Sequence, residues 1–208
     1  LSLAMAGLLL RIAMLFPWNL AIGCFQIIRS RLSLFFLWNH NFMRACIIIL
    51  AAGEGKRMKS DLPKVVNRLG GKTFIDRVIS VVEETPFATP VVVVSSAHTL
   101  VQEEIGGRAY YAVQDSPRGT GHAVLSAKNN VPPDADCVVV LYGDHPRMSS
   151  ASILSLLNEQ KKTGAIMVVA YCAVPNFDGA YAPFKSFGRI VRDENGRIVK
   201  NVQVRDAT

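Results

Sequence analysis

The sequence predicts an α/β fold: a Rossmann-like, mostly parallel sheet with helices on both faces. Two observations carry this expectation. Short runs that are apolar at every position recur, as in strands covered on both sides. Between them lie segments with apolar residues at helical spacing, and a β-α-β-α-β order with right-handed crossovers builds a parallel sheet. The composition permits such a core. The chain has 208 residues, half of them hydrophobic and 19% charged, too apolar for a disordered chain and long enough to bury an interior.

The elements follow in order. Residues 45–50, Ala-Cys-Ile-Ile-Ile-Leu, read as a buried strand, and a Gly-rich loop follows them. Residues 73–84 place Phe74, Ile75, Val78, Ile79 and Val82 on one helical face. Residues 90–94 are a second buried strand. Thr99 opens a short helix to Ile105, with Gln102 and Glu103 in a loose capping pattern. Residues 109–114 are a third strand, 121–128 a helix and 137–142 a fourth strand. Residues 150–162 form a helix with Ile153, Leu154, Leu156 and Leu157 inward. Residues 166–172 are expected as a fifth strand. A polar loop, 175–186, precedes a hairpin that turns at Asn195-Gly196.

The charge balance is +7, from 23 Lys and Arg against 16 Asp and Glu. The basic residues are scattered, with no run longer than two, so a nucleic-acid groove is not expected. A pI near 9.4 suits a partner that carries phosphates. Four cysteines, Cys24, Cys46, Cys137 and Cys172, form no C-x-x-C pair. They read as free, mostly buried thiols in a reducing, cytoplasmic compartment, not as a zinc site or a disulfide scaffold.

Residues 1–42 differ from the rest. They contain no Asp or Glu, and their charges are Arg11, Arg29 and Arg31. The apolar run from Ile12 to Ile28 is interrupted by Pro17 and Asn19 and is short for a bilayer. Three readings stand: an upstream extension from a misplaced start, a membrane anchor, or a packed amphipathic helix. The extension is favoured, because Met43 opens the first recognisable unit. Membrane association is expected only if residues 1–42 are a true anchor. The domain is therefore read as residues 43–208.

Ligands of parallel sheets lie beyond the carboxyl ends of the strands, which singles out three stretches. The first is Leu50-Ala51-Ala52-Gly53-Glu54-Gly55-Lys56-Arg57-Met58, with Asp61-Leu62-Pro63-Lys64 following. A glycine-rich turn leaving a strand lets backbone N–H groups converge on an anion, and Arg57 and Lys64 add positive charge. Met58 breaks the dinucleotide pattern G-x-G-x-x-G, and Val66 breaks a P-loop reading of Gly70-Gly71-Lys72-Thr73. The second stretch is Gln114-Asp-Ser-Pro-Arg-Gly119-Thr120-Gly121-His122. A strand-end amide offers a donor and an acceptor to a base edge, and Thr120 is placed to cap the next helix. His122 is expected to pack or cap. The third is Leu141-Tyr142-Gly143-Asp144-His145-Pro146. A carboxylate directly after an apolar strand suits Mg²⁺, which keeps water and substrate phosphate as its other ligands. His145 is expected in a solvated loop.

Together these stretches resemble the sugar-1-phosphate nucleotidyltransferases, a MobA-like NTP transferase family. Within it they are most similar to the uridyltransferase domains of the bifunctional bacterial uridyltransferase/acetyltransferases. The resemblance runs from about Ile47 to the end and implies the nucleotide-diphospho-sugar transferase fold. It implies that UMP passes from UTP to N-acetylglucosamine 1-phosphate, giving UDP-N-acetylglucosamine and pyrophosphate, with Mg²⁺ as cofactor, in cell-wall precursor synthesis. On it, Gly53, Arg57 and Lys64 hold the triphosphate, Arg57 and Lys64 as the catalytic residues, and Leu50, Ala51 and Ala52 bind substrate. Gln114, Gly119 and Thr120 meet the uracil, Tyr142 and Gly143 line the site, and Asp144 holds the metal. Gly188 and Gln203 fall at the sugar. The chain departs from the family pattern at Phe187, usually Tyr, at Gln203, usually Glu, and at Arg147, usually apolar. The family's second metal ligand, an Asn, has no counterpart before Thr208, so the domain is expected to be incomplete at its C-terminus. Alternatives are a related transferase with another base or acceptor, or an inactive nucleotide-binding fragment. Homo-oligomerisation is left open.

Overall fold

The structure, a computed structural model, describes residues 43–53 and 62–202. The extension of residues 1–42, the segment carrying Arg57, Cys24 and the end carrying Gln203 lie outside the described residues. The chain divides into two compact units, Leu1–Gly164 and Ala165–Thr208.

The first unit holds the site. Strand β1 is Ala45–Leu50. Two short strands, β2 at Arg68–Leu69 and β3 at Lys72–Thr73, precede helix α1, Phe74–Glu83. Strand β4, Val91–Ser95, leads to helix α2, Leu100–Ile105, and strand β5, Tyr110–Gln114, to helix α3, Thr120–Ser126. Strand β6, Cys137–Tyr142, and helix α4, Ser150–Thr163, complete it. The main sheet runs β5-β4-β1-β6 and is parallel throughout.

Alternation along β1 explains the layering, because successive side chains leave a strand on opposite faces. Ile47 and Ile49 join Val92, Val94, Val139 and Leu141 on one face, where Ile75, Val78, Ile79, Val82, Val101, Ile105, Ile153 and Leu157 from α1, α2 and α4 cover them. Cys46 and Ile48 join Val91, Val93 and Ala112 on the other, against Ala123 of α3 and Ala127 beyond it. Burying each Ile or Val stabilises the fold by about 1.5–3 kcal/mol. Helix α1 starts where Thr73 accepts the Asp76 N–H at 3.1 Å, a cap worth about 1 kcal/mol. Helix α4 starts in the same way at Ser149 and ends at Gly164, φ 65°.

The pair Gly70-Gly71, which resembles a phosphate loop in sequence, is the two-residue turn of the β2–β3 hairpin. Both residues have positive φ, 57° and 82°, as a tight hairpin requires.

In the second unit, the hairpin is formed by β7, Arg189–Arg192, and β8, Ile198–Val202. Asp193 organises its turn: Oδ1 accepts the N–H groups of Asn195 and Arg197 at 3.0 and 2.8 Å. The expected polar loop contains a 3-10 helix, Gly179–Ser186. The expected fifth strand is not formed. Residues 166–172 pair with no strand among the described residues, and Ile166 and Met167 are 106% and 76% exposed. Apolar, β-branched composition favours a strand only where a neighbour supplies hydrogen bonds and cover. Cys46 is buried, Cys137 half-buried and Cys172 exposed, so the last departs from the expectation of buried thiols. Among the described residues no helix is long and apolar enough to cross a membrane.

Candidate active site

The strand order sets the site. From β1 the chain crosses to β4 and then β5 on one side, and returns to place β6 on the other. The turns leaving β1 and β6 therefore diverge at a topological switch point, where parallel sheets open a crevice. Leu50 pairs with Tyr142 in register, so both turns begin at the same height.

One hydrogen bond ties the two turns to each other, and a second ties the β1 turn to β4. The Gly143 N–H donates to the Leu50 carbonyl at 2.9 Å, and the Ala51 N–H donates to the Val93 carbonyl at 2.8 Å. Ala51 and Ala52 are buried, and Gly53 emerges exposed. Gly143 is buried where a Cβ would stand 3.1 Å from Ile75 Cδ1, Val65 Cγ1 and Leu50 O. Only hydrogen in place of a side chain lets these turns approach so closely.

Lys64 arrives from a one-turn 3-10 helix, Lys64–Val66. Val65 anchors that turn in the core at 4% exposure. The Asn67 amide donates to the carbonyls of Pro63 and Lys64 at 3.3 and 3.0 Å. Sequence reading passed over Asn67, whose only signal was a turn-forming residue three positions after Lys64. The Lys64 ammonium lies 2.6 Å from Asp144 Oδ2, joining residues eighty positions apart. The Asp144 side chain keeps 26% exposure. His145 Nε2 stands 3.7 Å from the other oxygen, Oδ1, and its ring lies 5.0 Å from that of Tyr142.

Asp144 offers one half-open carboxylate, a hard oxygen ligand of the kind Mg²⁺ takes, with Oδ2 held by Lys64 at 2.6 Å; among the described residues no group of three or more His, Cys, Asp or Glu is positioned for a metal. A cation held here would take its remaining ligands from water and phosphate, the usual state of Mg²⁺.

Gln114 ends β5, two strands from β1 and so about 10 Å away. It is 6% exposed. Its Nε2 donates to the Gly119 carbonyl at 3.2 Å and lies 3.0 Å from His122 Nδ1. Gly119 has φ 100° and is the N-cap of α3, a conformation that favours glycine. Thr120 is the first helical residue and not the cap, correcting the sequence expectation, and it is exposed. His122 caps no helix; its half-buried ring engages the Gln114 side chain.

The structure thus links Leu50 to Tyr142 and Gly143, and Lys64 to Asp144, with Ala51, Ala52 and Gly53 following Leu50 along the chain; Gln114 and Gly119 form a second cluster at the same sheet end. Gly188 belongs to the second unit, exposed beside β7.

Comparison with known proteins agrees with this fold. Residues 47–193 match the MobA-like NTP transferase domain. The bifunctional protein GlmU of Carboxydothermus hydrogenoformans is 40% identical over 161 residues, covering 77% of this chain and 34% of that protein. The GlmU of Heliobacterium modesticaldum is 35% identical over 160 residues, covering 77% and 33%. The chain spans about a third of the length of these relatives. Among solved structures, HddC from Yersinia pseudotuberculosis complexed with GMP-PN superposes with a TM-score of 0.55 at 17% identity, over 77% of this chain and 69% of that one. CMP:2-keto-3-deoxy-manno-octonic acid synthetase complexed with CTP gives 0.54 at 22% identity, over 76% and 64%. These two share the fold. By the family match and the switch-point architecture together, the chain belongs to the MobA-like NTP transferase domain family.

Proposed function

We propose that this chain transfers UMP from UTP to N-acetylglucosamine 1-phosphate, releasing pyrophosphate. The observation that carries the reading is the Lys64–Asp144 pair at the switch point, next to the Gly143 turn that bonds to Leu50. A cation and a half-open carboxylate there suit a triphosphate with its metal. The similarity to GlmU proteins supports the uridylyl donor and the amino-sugar acceptor.

An oxygen of the acceptor's phosphate attacks the α-phosphorus of UTP. The new P–O bond forms as the bond from that phosphorus to the β-phosphate oxygen breaks. The nucleophile is already an anion, so no base has to remove a proton. Catalysis is then alignment and charge neutralisation. The N–H groups of Ala52 and Gly53 bind phosphate oxygens, Lys64 offsets their charge, and Gln114 with Gly119 orients the base. On the sequence resemblance Arg57 would add positive charge at the phosphates, and Thr120 a further contact to the base. Asp144 would hold Mg²⁺, which when bound neutralises charge on the phosphates. The compartment that fits these substrates is the cytoplasm.

The test is pyrophosphate release by the full 208-residue chain supplied with UTP, N-acetylglucosamine 1-phosphate and Mg²⁺. Turnover is expected, and Asp144→Ala should abolish it. Undiminished turnover in that variant would remove Asp144 from the chemistry.

A further inference from the structure

The orientation of the Gln114 amide can be read from its neighbours. One amide atom lies 3.2 Å from the Gly119 carbonyl oxygen and 3.0 Å from His122 Nδ1. A carbonyl oxygen only accepts, so the atom facing it is the nitrogen. One of its hydrogens goes to Gly119. The other goes to His122 Nδ1, which must then be the acceptor. A ring nitrogen that accepts carries no proton, so His122 is the neutral tautomer with its hydrogen on Nε2. Both amide hydrogens are committed. What Gln114 has left is Oε1, which makes no hydrogen bond to the described residues.

We propose that His122 is a specificity-determining residue: by accepting the second amide hydrogen of Gln114, it leaves an oxygen as the group shown to the nucleotide base. This rests on the reading above that Gln114 meets the base. Uracil carries a hydrogen on N3, where cytosine carries a lone pair. An acceptor binds the first and repels the second, so the pair selects UTP over CTP. Gly119 alone would not achieve this. With the ring absent, one amide N–H is free to donate to cytosine N3, and a single hydrogen bond, worth about fivefold in an equilibrium, opposes a flip of the amide. His122 is thus a positioning residue, acting on the base through Gln114.

The experiment is isothermal titration of the full chain with UTP and with CTP in Mg²⁺. Wild type should prefer UTP by about tenfold or more. His122→Phe keeps a ring but removes the acceptor, and should lower the UTP/CTP ratio by about fivefold. His122→Asn places an acceptor oxygen near the position of Nδ1 and should restore the preference. A purely structural histidine would weaken both nucleotides equally in His122→Phe, and that outcome overturns the inference. So does a wild type that binds the two alike. Nitrogen-15 resonances of the wild-type ring give a check that needs no variant: a proton on Nδ1 refutes the arrangement. Gln114→Ala separates the two readings. If it leaves UTP affinity unchanged, the base site itself is misplaced and both fall. If it weakens UTP while His122→Phe keeps the wild-type ratio, only the role of His122 falls.

Discussion

Gly143→Ala tests whether the two turns of the site depend on close approach. A methyl group there would stand 3.1 Å from Ile75 Cδ1 and from Val65 Cγ1. Carbon atoms settle at about 3.5–4.0 Å, so each contact is compressed by roughly half an ångström. The third neighbour, Leu50 O at 3.1 Å, is the carbonyl that accepts the Gly143 N–H. Ile75 is 0% and Val65 4% exposed, so neither side chain has free space to swing into. The turn must shift and strain that hydrogen bond, a cost of about 1–3 kcal/mol for overpacking. Thermal unfolding followed by circular dichroism should show Tm lower by about 3–12 °C. The double variant Gly143→Ala/Val65→Ala, which removes one of the crowded contacts, should be about 1 kcal/mol more stable than the two single effects predict. A Tm within about 1 °C of wild type, or strict additivity, would refute the packing argument.

Two further outcomes are expected. Lys64→Met removes the ammonium 2.6 Å from Asp144 but keeps most of the stem. UTP affinity should fall by about tenfold or more, with stability changed by under about 1 kcal/mol because the pair is partly exposed; unchanged affinity by calorimetry would take Lys64 out of the phosphate site. Arg108 donates to Asp76 at 2.6 Å and to both oxygens of Glu83 at 2.8 Å, and these hydrogen bonds hold both carboxyls below their usual range. A lowered pKa adds stability that is present above the unfolded values, about 4, and is lost as pH falls through the folded ones. Arg108→Met should therefore cost about 1 kcal/mol at pH 7, and its deficit in urea unfolding should shrink towards pH 3. A deficit that grows in acid would contradict that sign.

Much of the scaffold is legible locally. Strands β1 and β6 have the bounds that their apolar runs predict; β1 is covered on both faces, as such a run implies, whereas β6 lies at the sheet edge and leaves Val138, Val140 and Tyr142 exposed. Helix α1 and its Thr73 cap follow from spacing and one hydroxyl. The Asn195-Gly196 turn is similarly plain, since few residues accept its backbone. Composition misleads where a partner is needed. Residues 166–172 have strand chemistry but no strand beside them among the described residues; at Gly70-Gly71 the sequence already excluded a P-loop through Val66, and the pair forms a hairpin turn. His122 was beyond reach, because what a ring nitrogen accepts depends on which amide lies 3.0 Å away.

By itself the sequence marked the candidate residues, since glycine, lysine, carboxylate and amide each mark what they can bind. Only the tertiary structure decided that Lys64 and Asp144 meet and that Gly143 seals against Leu50. Those contacts join positions about eighty or more residues apart, and they exist because parallel pairing sets β6 beside β1 and opens the crevice where the chain reverses its direction of crossing.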